Sequence, residues 1–464
     1  MRQRIVRKGQ KELIVKLELT KEFIERLQLM VETSDSEAIQ KELVDVHPAD
    51  IADILSELSV DEAKFVFDQL EDEISAEALM ELDEDYRERF IRVLSTEEIV
   101  DQVDNLETDD AADLLGELEE DAKDEIIAQL EDKEHASEIT DLLKYDEDSA
   151  GGLMHKEFIK AKSYWAVDRC VIELRRQAED VDRVYSIYVT DKDDVLLGIL
   201  SLKALLFADP KTLIEDIYMR ENIHYVKTHE SSEDVAITME KYDLVSIPVV
   251  DRQNKLVGRI TIDDVVDVIK EEAEKDYQLA SGISDNVEAT SSVFKNTRSR
   301  LPWILIGLAG GVAASQIIKG YEGQIDMNPA LAFFIPLIVA TAGNVGVQSS
   351  AIIVQGLASK DFQFQSLFRQ VGKETLVGML VGLICSIVIF GISYTFVDDI
   401  RLGITIAISL FVVVVFAAVL GSLVPLLLDR VKIDPALATG PFITTANDII
   451  GLTIYFVVAY FVYM

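Results

Sequence analysis

The feature that most constrains this chain is a run of five long apolar segments that begins near residue 301. A helix that crosses a bilayer needs about 20 apolar residues, and each segment approaches or exceeds that length. The segments are Pro302–Ile318, Pro329–Leu357, Glu374–Val397, Ile404–Leu428 and Pro441–Met464. The sequence therefore predicts an all-α transmembrane domain of five helices over residues 301–464, embedded in a lipid bilayer.

The last apolar segment holds one ionisable residue, Asp448, about two turns from its start. A carboxylate at membrane depth costs about 3 kcal/mol or more, so such residues usually face a partner or a water-filled path. Thr444 and Asn447 lie beside it, and Gly440–Pro441 loosens the helix start. Oxygen atoms in this arrangement suit a hard cation. The alternative is that Asp448 only bonds to a neighbouring helix.

Charge is concentrated in the first 300 residues, which hold 74 acidic and 37 basic residues of a chain with net charge −39. Such a surface repels nucleic acid and attracts cations. The two cysteines suggest no disulfide framework, and the basic N-terminus lacks the unbroken apolar stretch of a signal peptide. We therefore expect the acidic portion in the cytoplasm and no nucleic-acid partner.

Residues 1–145 show apolar positions at helical spacing throughout. Within them, Pro48–Leu58 resembles Thr108–Leu118, sixty residues later. Short amphipathic helices that repeat in this way predict an all-α helical-repeat domain.

Residues 146–272 change to a strand–turn–strand–helix pattern. Tyr185–Leu206 aligns without gaps to Val245–Val266, again sixty residues on. The arrangement resembles a pair of CBS modules, which implies an α/β fold. It is open whether the pair senses a nucleotide or serves only as a dimerisation platform.

In the CBS family a Ser or Thr followed three residues later by Asp often holds the ribose of an adenine nucleotide. The second copy matches this pattern with Thr261 and Asp264, near the turn that ends at Pro248, whereas the first copy has Ala204 at the acidic position. The resemblance therefore implies ATP as a candidate ligand, with Asp264 and Pro248 as its candidate contacts.

A polar helical stretch over residues 273–300 leads to the membrane as a connecting helix, acting either as a lever or as a plain linker. Orientation follows from basic residues that flank the spans. With the acidic portion inside, eight fall on the cytoplasmic side and two outside; the eight are Lys295, Arg298, Arg300, Lys360, Arg369, Lys373, Arg430 and Lys432. We expect a cytoplasmic N-terminus and an external C-terminus.

Other polar residues accompany the spans. Asn344 and Gln348, four residues apart in the second span, would supply oxygens to an ion pathway, although the glycines around them also suit close helix packing. Asp434, just before the last span, would line a pore mouth, although exposed loop acids are common. Five spans with one acid enclose little, so we expect a pore built from two copies.

Several motifs together resemble the MgtE family of magnesium channels and transporters. They are Tyr145–Met154 (YDEDSAGGLM), Arg300–Trp303, Gly343–Gln348 (GNVGVQ), Lys373–Glu374, Asp434–Ala436 (DPA) and the TTANDIIG run around Asp448. The resemblance implies a homodimer in the plasma membrane, with Mg²⁺ as both substrate and regulator. It places hydrated Mg²⁺ at Asp448. It also implies that cytosolic Mg²⁺ closes the pore by bridging acidic faces at Asp109, Asp113, Asp243, Asp264, Asp267, Glu272 and Asp276.

Two other classes of protein compete with this interpretation. An intramembrane aspartyl hydrolase needs two carboxylates in one site, and Asp448 has no such neighbour in its span, so no enzymatic activity is expected. A CBS-regulated transporter of another divalent cation (Mn²⁺, Co²⁺ or Ni²⁺) is the closer alternative. The sequence leaves open both cation selectivity and the choice between channel and carrier.

Overall fold

The structure is a computed structural model that describes residues 19–178, 181, 183–221, 223–284, 287, 291–358, 367–396, 399–438 and 440–463. Two features used above lie outside these residues: the basic N-terminal stretch and Lys360, which was counted for orientation. The chain divides into two compact units, one up to Lys270 and one from Glu271 onward.

The first unit begins with a series of short helices, as the repeat pattern predicts. Their apolar faces share one core, which includes Ile54, Phe90 and Leu114, all completely buried. Several helices begin with a side-chain cap, and Ser59 and Ser95 each form a complete capping box. The helices are α1 Lys21–Glu32, α2 Ser36–Leu43, α3 Pro48–Ser56, α4 Val60–Phe67, α5 Asp72–Met80, α6 Glu84–Ile91, α7 Thr96–Val103, α8 Thr108–Gly116, α9 Glu120–Gln129 and α10 Lys133–Leu142.

Two small α/β modules complete this unit. Their elements are β1 Ile159–Lys162, α11 Val167–Gln177, β2 Ile187–Thr190, β3 Leu196–Leu200, α12 Leu202–Phe207, β4 Val226–Lys227, α13 Ser232–Lys241, β5 Ser246–Val250, β6 Leu256–Thr261 and α14 Ile262–Ala280. Each sheet has a parallel pair followed by an antiparallel pair, in the orders β1-β2-β3 and β4-β5-β6. The register repeats with the sequence, since Ile187 pairs with Leu200 and Ile247 pairs with Ile260.

The two modules exchange matched backbone hydrogen bonds. The Leu196 amide donates to Asn254 O at 3.0 Å, and the Leu256 amide, sixty residues later, donates to Asp194 O at 3.0 Å. The two modules are therefore related by an approximate two-fold axis.

Helix α14 continues from the second module into the polar stretch but ends at Ala280. Gly282 has a φ of +78°, and the amides of Gly282 and Ile283 donate to the carbonyls of Leu279 and Gln278, which is a Schellman cap. The next helix, α15, begins only at Val293. The stretch predicted as one connecting helix over 273–300 is thus helical at its two ends.

In the second unit, five of the described helices are long and apolar enough to cross a membrane. They are α15 Val293–Gly320, α17 Ala330–Ala358, α18 Leu367–Phe396, α19 Ile400–Arg430 and α20 Pro441–Tyr463, with the short helix α16 Glu322–Met327 between the first two. Helix α15 begins at Val293, before the apolar segment predicted from Pro302, and its first turns hold the basic residues Lys295, Arg298 and Arg300.

These long helices pack through small residues. A Cβ atom on Gly421 of α19 would overlap the carbonyl oxygen of Gly346 in α17, and it would lie 3.0 Å from the Gly346 carbonyl carbon. Backbone therefore contacts backbone at this crossing, which only glycine permits.

Candidate ion sites

The last membrane helix, α20, carries the polar run that the sequence singles out. Thr444, Asn447 and Asp448 follow at spacings of three and four residues, so they lie on one face of the helix. The Thr444 hydroxyl donates to Gly440 O at 3.0 Å. Asn447 is buried and Asp448 is half-buried. The three predicted residues of the last span thus form one polar stripe.

Two oxygen atoms of this stripe, Asn447 Oδ1 and Asp448 Oδ1, are buried and have no hydrogen-bond partner among the residues that the structure describes. The Asn447 amide nitrogen donates to Ala342 O at 3.4 Å, which leaves its oxygen free to face elsewhere. Buried oxygens normally find a donor or a cation. The stripe therefore has the donor atoms that a hard cation takes.

The other predicted membrane residues lie apart from this stripe in the single chain. Asn344 and Gln348 are exposed on the side of α17 opposite to its buried Ala342 and Gly346. Asp434 is exposed and accepts a hydrogen bond from the Ala436 amide at 2.8 Å. Their roles in an ion path remain predictions.

A second cluster of ionisable groups centres on His155 in the first unit. Its Nδ1 lies 3.0 Å from Glu107 Oε2 and 3.1 Å from Asp109 Oδ2. Its Nε2 lies 2.8 Å from Asp264 Oδ2, and the Thr261 amide also donates to that oxygen, at 2.9 Å. The structure thus brings together two predicted regulatory acids, Asp109 of α8 and Asp264 of α14, on one imidazole.

Backbone contacts fix this cluster in place. The first turn of α8 is capped by Glu157, whose carboxylate accepts from the Thr108 amide at 3.1 Å and from the Thr108 hydroxyl at 2.9 Å. His155 in turn forms a bridge with β6, exchanging two backbone hydrogen bonds with Arg259. The helical repeats and the second α/β module therefore meet at His155.

Carboxylates dominate the electrostatics here. Burial lowers the pKa of His155, but Asp109, Asp264 and Glu107 outweigh it and raise the pKa well above the usual 6.5. Because neutral imidazole carries a single N–H, contacts from both nitrogens to carboxylates require the doubly protonated ring. Burial and the neighbouring Asp109 raise the pKa of Asp110 to about 8.

The remaining predicted regulatory acids are more open to solvent. Asp113, Asp243 and Asp267 are exposed. Glu272 and Asp276 are half-buried on α14, and Glu272 forms an ion pair with Lys275 at 3.0 Å. Pro248 is buried in β5 opposite Arg259 and so lies in the sheet.

Sequence reasoning missed Glu107, His155 and Glu157. The available signal was one histidine directly after the YDEDSAGGLM motif. Its partners lie 48 residues before and 109 residues after it, so no local spacing connects them.

Comparison with known proteins finds relatives that match over most of this chain. The magnesium transporter MgtE of Enterococcus faecalis is 36% identical over 324 residues, which cover 70% of this chain and 71% of that protein. The magnesium transporter MgtE of Thermus thermophilus is 37% identical over 325 residues, which cover 70% of this chain and 72% of that protein. A crystal structure of the cytosolic domain of the Mg²⁺ channel MgtE in complex with ATP has 33% identity and a TM-score of 0.50, covering 53% of this chain and 99% of that one.

Helical repeats, a CBS pair and five apolar helices define a multi-pass membrane protein with a CBS module. A family model of divalent cation transporters, MgtE, matches residues 335–458, a model of the MgtE intracellular N domain matches residues 46–148, and a CBS model matches residues 214–271. The chain belongs to the MgtE family. The predicted multidomain fold and family membership are thereby confirmed.

Proposed function

We propose that this protein carries Mg²⁺ across the plasma membrane through a pathway whose ion site includes Asp448. The observation that carries the proposal is the pair of buried oxygens of Asn447 and Asp448 within an apolar helix, which have no partner in the part of the chain that the structure describes. Mg²⁺ takes oxygen ligands and keeps much of its water, so a carboxylate and a few neutral oxygens suffice to hold it. The names of the two relatives described above support Mg²⁺ as the substrate.

The proposal includes regulation by the same ion. Cytosolic Mg²⁺ would bridge acidic faces of the front portion and hold the pathway closed. The chain's net charge of −39 supports this, because a surface of one sign repels itself and bound divalent cations remove the repulsion. The proposed ligands are Asp109, Asp113, Asp243, Asp264, Asp267, Glu272 and Asp276.

Assembly and orientation complete the proposal. Two copies form the pore, with both acidic portions in the cytoplasm and both C-termini outside. Asn344, Gln348 and Asp434 are exposed in the single chain, which leaves their oxygens available to a pathway between copies. The orientation is supported by the basic residues that flank the spans, because more of them fall on the cytoplasmic side than outside.

ATP is part of the proposal as a ligand of the CBS pair. The similar cytosolic domain was crystallised with ATP, which supports such a site here. Asp264 is the acid at the ribose position of the second copy, and its carboxylate already accepts from Thr261 and contacts His155.

A transporter of Mn²⁺, Co²⁺ or Ni²⁺ is the second candidate. The matching family model is described more broadly, as divalent cation transporters. Hydrated first-row cations also bind carboxylate oxygens, so Asp448 alone does not separate them from Mg²⁺.

The test is uptake into proteoliposomes that contain Asp448→Asn. Loss of the ligand charge should lower Mg²⁺ uptake by roughly tenfold or more, because each 1.4 kcal/mol of lost binding is a factor of ten. The matched control is Asp429→Asn, which neutralises an exposed acid at the end of α19 and should leave uptake unchanged. Uptake of each competing cation, measured in parallel, assigns the substrate. Full Mg²⁺ uptake by a folded Asp448→Asn protein would refute the ion site.

A further inference from the structure

The cluster at His155 offers an unusual set of donor atoms for this protein. Glu107, Asp109 and His155 each present one ligand atom, and these atoms lie within 4.8 Å of one another. Nδ1 of His155 is 3.0 Å and 3.1 Å from the two carboxylate oxygens. Metal bonds of about 2.1 Å at right angles place neighbouring ligands about 3.0 Å apart. The two distances from Nδ1 thus match those between one ligand of an ion and two neighbouring ligands.

A further observation also indicates a ligand at this cluster. Asp109 is only 8% exposed, and its second oxygen, Oδ1, is buried without a hydrogen-bond partner among the residues that the structure describes. A buried carboxylate oxygen without a donor is costly. This oxygen belongs to the same side chain that already contacts the imidazole, so it is available as a further ligand atom.

The other imidazole nitrogen, Nε2, already contacts a carboxylate that fixes the orientation of the ring. Nε2 of His155 lies 2.8 Å from Asp264 Oδ2, and the amide and hydroxyl of Thr261 both donate to that oxygen, at 2.9 and 2.8 Å. Histidines that bind a metal through one nitrogen almost always donate the other N–H to a carboxylate, a backbone carbonyl or water. The arrangement therefore leaves Nδ1 as the ligand atom.

We propose that Glu107, Asp109 and His155 bind a divalent first-row transition metal ion, with Asp264 as the positioning residue for the imidazole. When the ion takes the Nδ1 lone pair, the Nδ1 proton leaves to solvent and the Nε2 proton stays on its bond to Asp264. An imidazole nitrogen favours transition metals, whereas Mg²⁺ strongly prefers oxygen. The inference deepens the proposed regulation, because Asp109 and Asp264 belong to its acids, and it assigns this one position to a different class of ion.

The experiment is Co²⁺ titration of the tag-free full-length protein in detergent, with millimolar Mg²⁺ present throughout. Visible absorption and X-ray absorption at the cobalt edge report the ligands directly. We expect one Co²⁺ per chain that excess Mg²⁺ does not displace, with a histidine nitrogen in its ligand shell at about 2.1 Å.

Variants make the assignment specific. His155→Gln should remove the nitrogen signature and this equivalent of Co²⁺, and Glu107→Gln, which keeps the imidazole, should weaken binding at least severalfold. Asp264→Asn should weaken binding about 10–100-fold while the nitrogen signature remains. His229→Gln, an exposed histidine of the same unit, is the control and should bind as the wild type does.

The outcomes separate this inference from the proposed function. Co²⁺ binding that persists unchanged in His155→Gln, or that millimolar Mg²⁺ abolishes in the wild type, overturns the transition-metal site. Mg²⁺ uptake and its closure by Mg²⁺ are measured separately on the same preparations. Their loss, with histidine-dependent Co²⁺ binding retained, would refute the proposed function and leave the metal site standing.

Discussion

Gly421 of α19 sits where two membrane helices come closest. A Cβ atom there would overlap Gly346 O, a backbone atom that no side-chain rotation can move aside. Gly346 is itself restricted, because a Cβ on it would lie 2.8 Å from Ile443 Cγ2 of α20. Three of the apolar helices thus depend on two glycines for their spacing.

Gly421→Ala should therefore destabilise the membrane unit. Overpacking of this kind costs about 1–3 kcal/mol, because backbone must shift to admit the methyl group. The expected result is a lower midpoint of thermal unfolding in detergent and reduced uptake. Gly391→Ala is the matched control, since a Cβ at this position in α18 meets no described residue within 4 Å. Equal stability of the two variants would contradict the close crossing.

His155 is a residue whose role could not be predicted from a single sequence. Asp448 stands out in the sequence because one charge within an apolar run is conspicuous and its cost in a bilayer is known; its role as an ion site stays a prediction. The role of His155 depends instead on side chains from α8 and α14 that meet only after folding. No periodicity or local motif links His155 to these side chains, so the sequence alone does not identify the residue.

At the scale of elements, the end of α14 contacts the start of α20. Gly440 has a φ of +58°, and a Cβ on it would overlap Ala280 O; a Cβ on Gly282 would lie 2.6 Å from Pro441 Cγ. Both glycines therefore serve a tight contact between the connecting segment and the last membrane helix. Under the proposed regulation, this contact is the place where a movement of α14 would reach the helix that holds Asp448.

Gly440→Ala should weaken closure by Mg²⁺. The alanine is strained by about 1–2 kcal/mol in the left-handed region and also pushes against the end of α14. We expect residual Mg²⁺ flux at internal Mg²⁺ concentrations that close the wild type, measured in proteoliposomes loaded with graded Mg²⁺. Gly320→Ala is the control, because a Cβ at this position, at the end of α15, meets none of the residues that the structure describes within 4 Å. Unaltered closure in Gly440→Ala would separate this contact from gating.

The connecting segment also marks a limit of prediction at this scale. Its polar periodicity predicted one helix, but Ser281–Gly282 is a helix stop that the pattern contained and the prediction passed over. The paired sixty-residue repeat, by contrast, predicted both the strands and their matching registers. Elements with a second copy in the chain were the more secure predictions.

At the scale of the whole molecule, the excess of acids is the basis of the proposed response of the front portion to cations. Each pair of carboxylates a few Å apart costs on the order of 1–4 kcal/mol, depending on the local dielectric. A handful of such pairs exceeds the ~5.5 kcal/mol that inverts a two-state population. Under the proposed regulation, bridging Mg²⁺ ions would therefore supply enough free energy to move the protein between an open and a closed state.

Neutralising Asp264, Asp267 and Asp276 together to Asn should leave the pathway open at high internal Mg²⁺. If repulsion alone opened the pore, this variant would stay closed; we expect it open because Asn lacks the charge that holds a strongly hydrated cation. Recording from excised patches while stepping Mg²⁺ on the cytoplasmic side gives the answer.

Two further variants sharpen this result. Asp267→Asn with Asp276→Asn keeps the His155–Asp264 contact and should still impair closure. Neutralising Glu119, Glu120 and Asp121, three exposed acids at the start of α9, removes equal charge elsewhere and should close normally. Wild-type closure in the triple Asn variant would eliminate these acids as the sensor.

The matched hydrogen bonds between the two CBS modules have a consequence for the descent of this chain. Leu196 and Leu256 make the same bond in opposite directions, so each half of a duplicated segment completes the other's backbone. The backbone contact does not depend on the side chains at equivalent positions, and Ala204 stands where the second half has Asp264. The two halves therefore share one shape, while the acidic group and its histidine partner occur in only one of them.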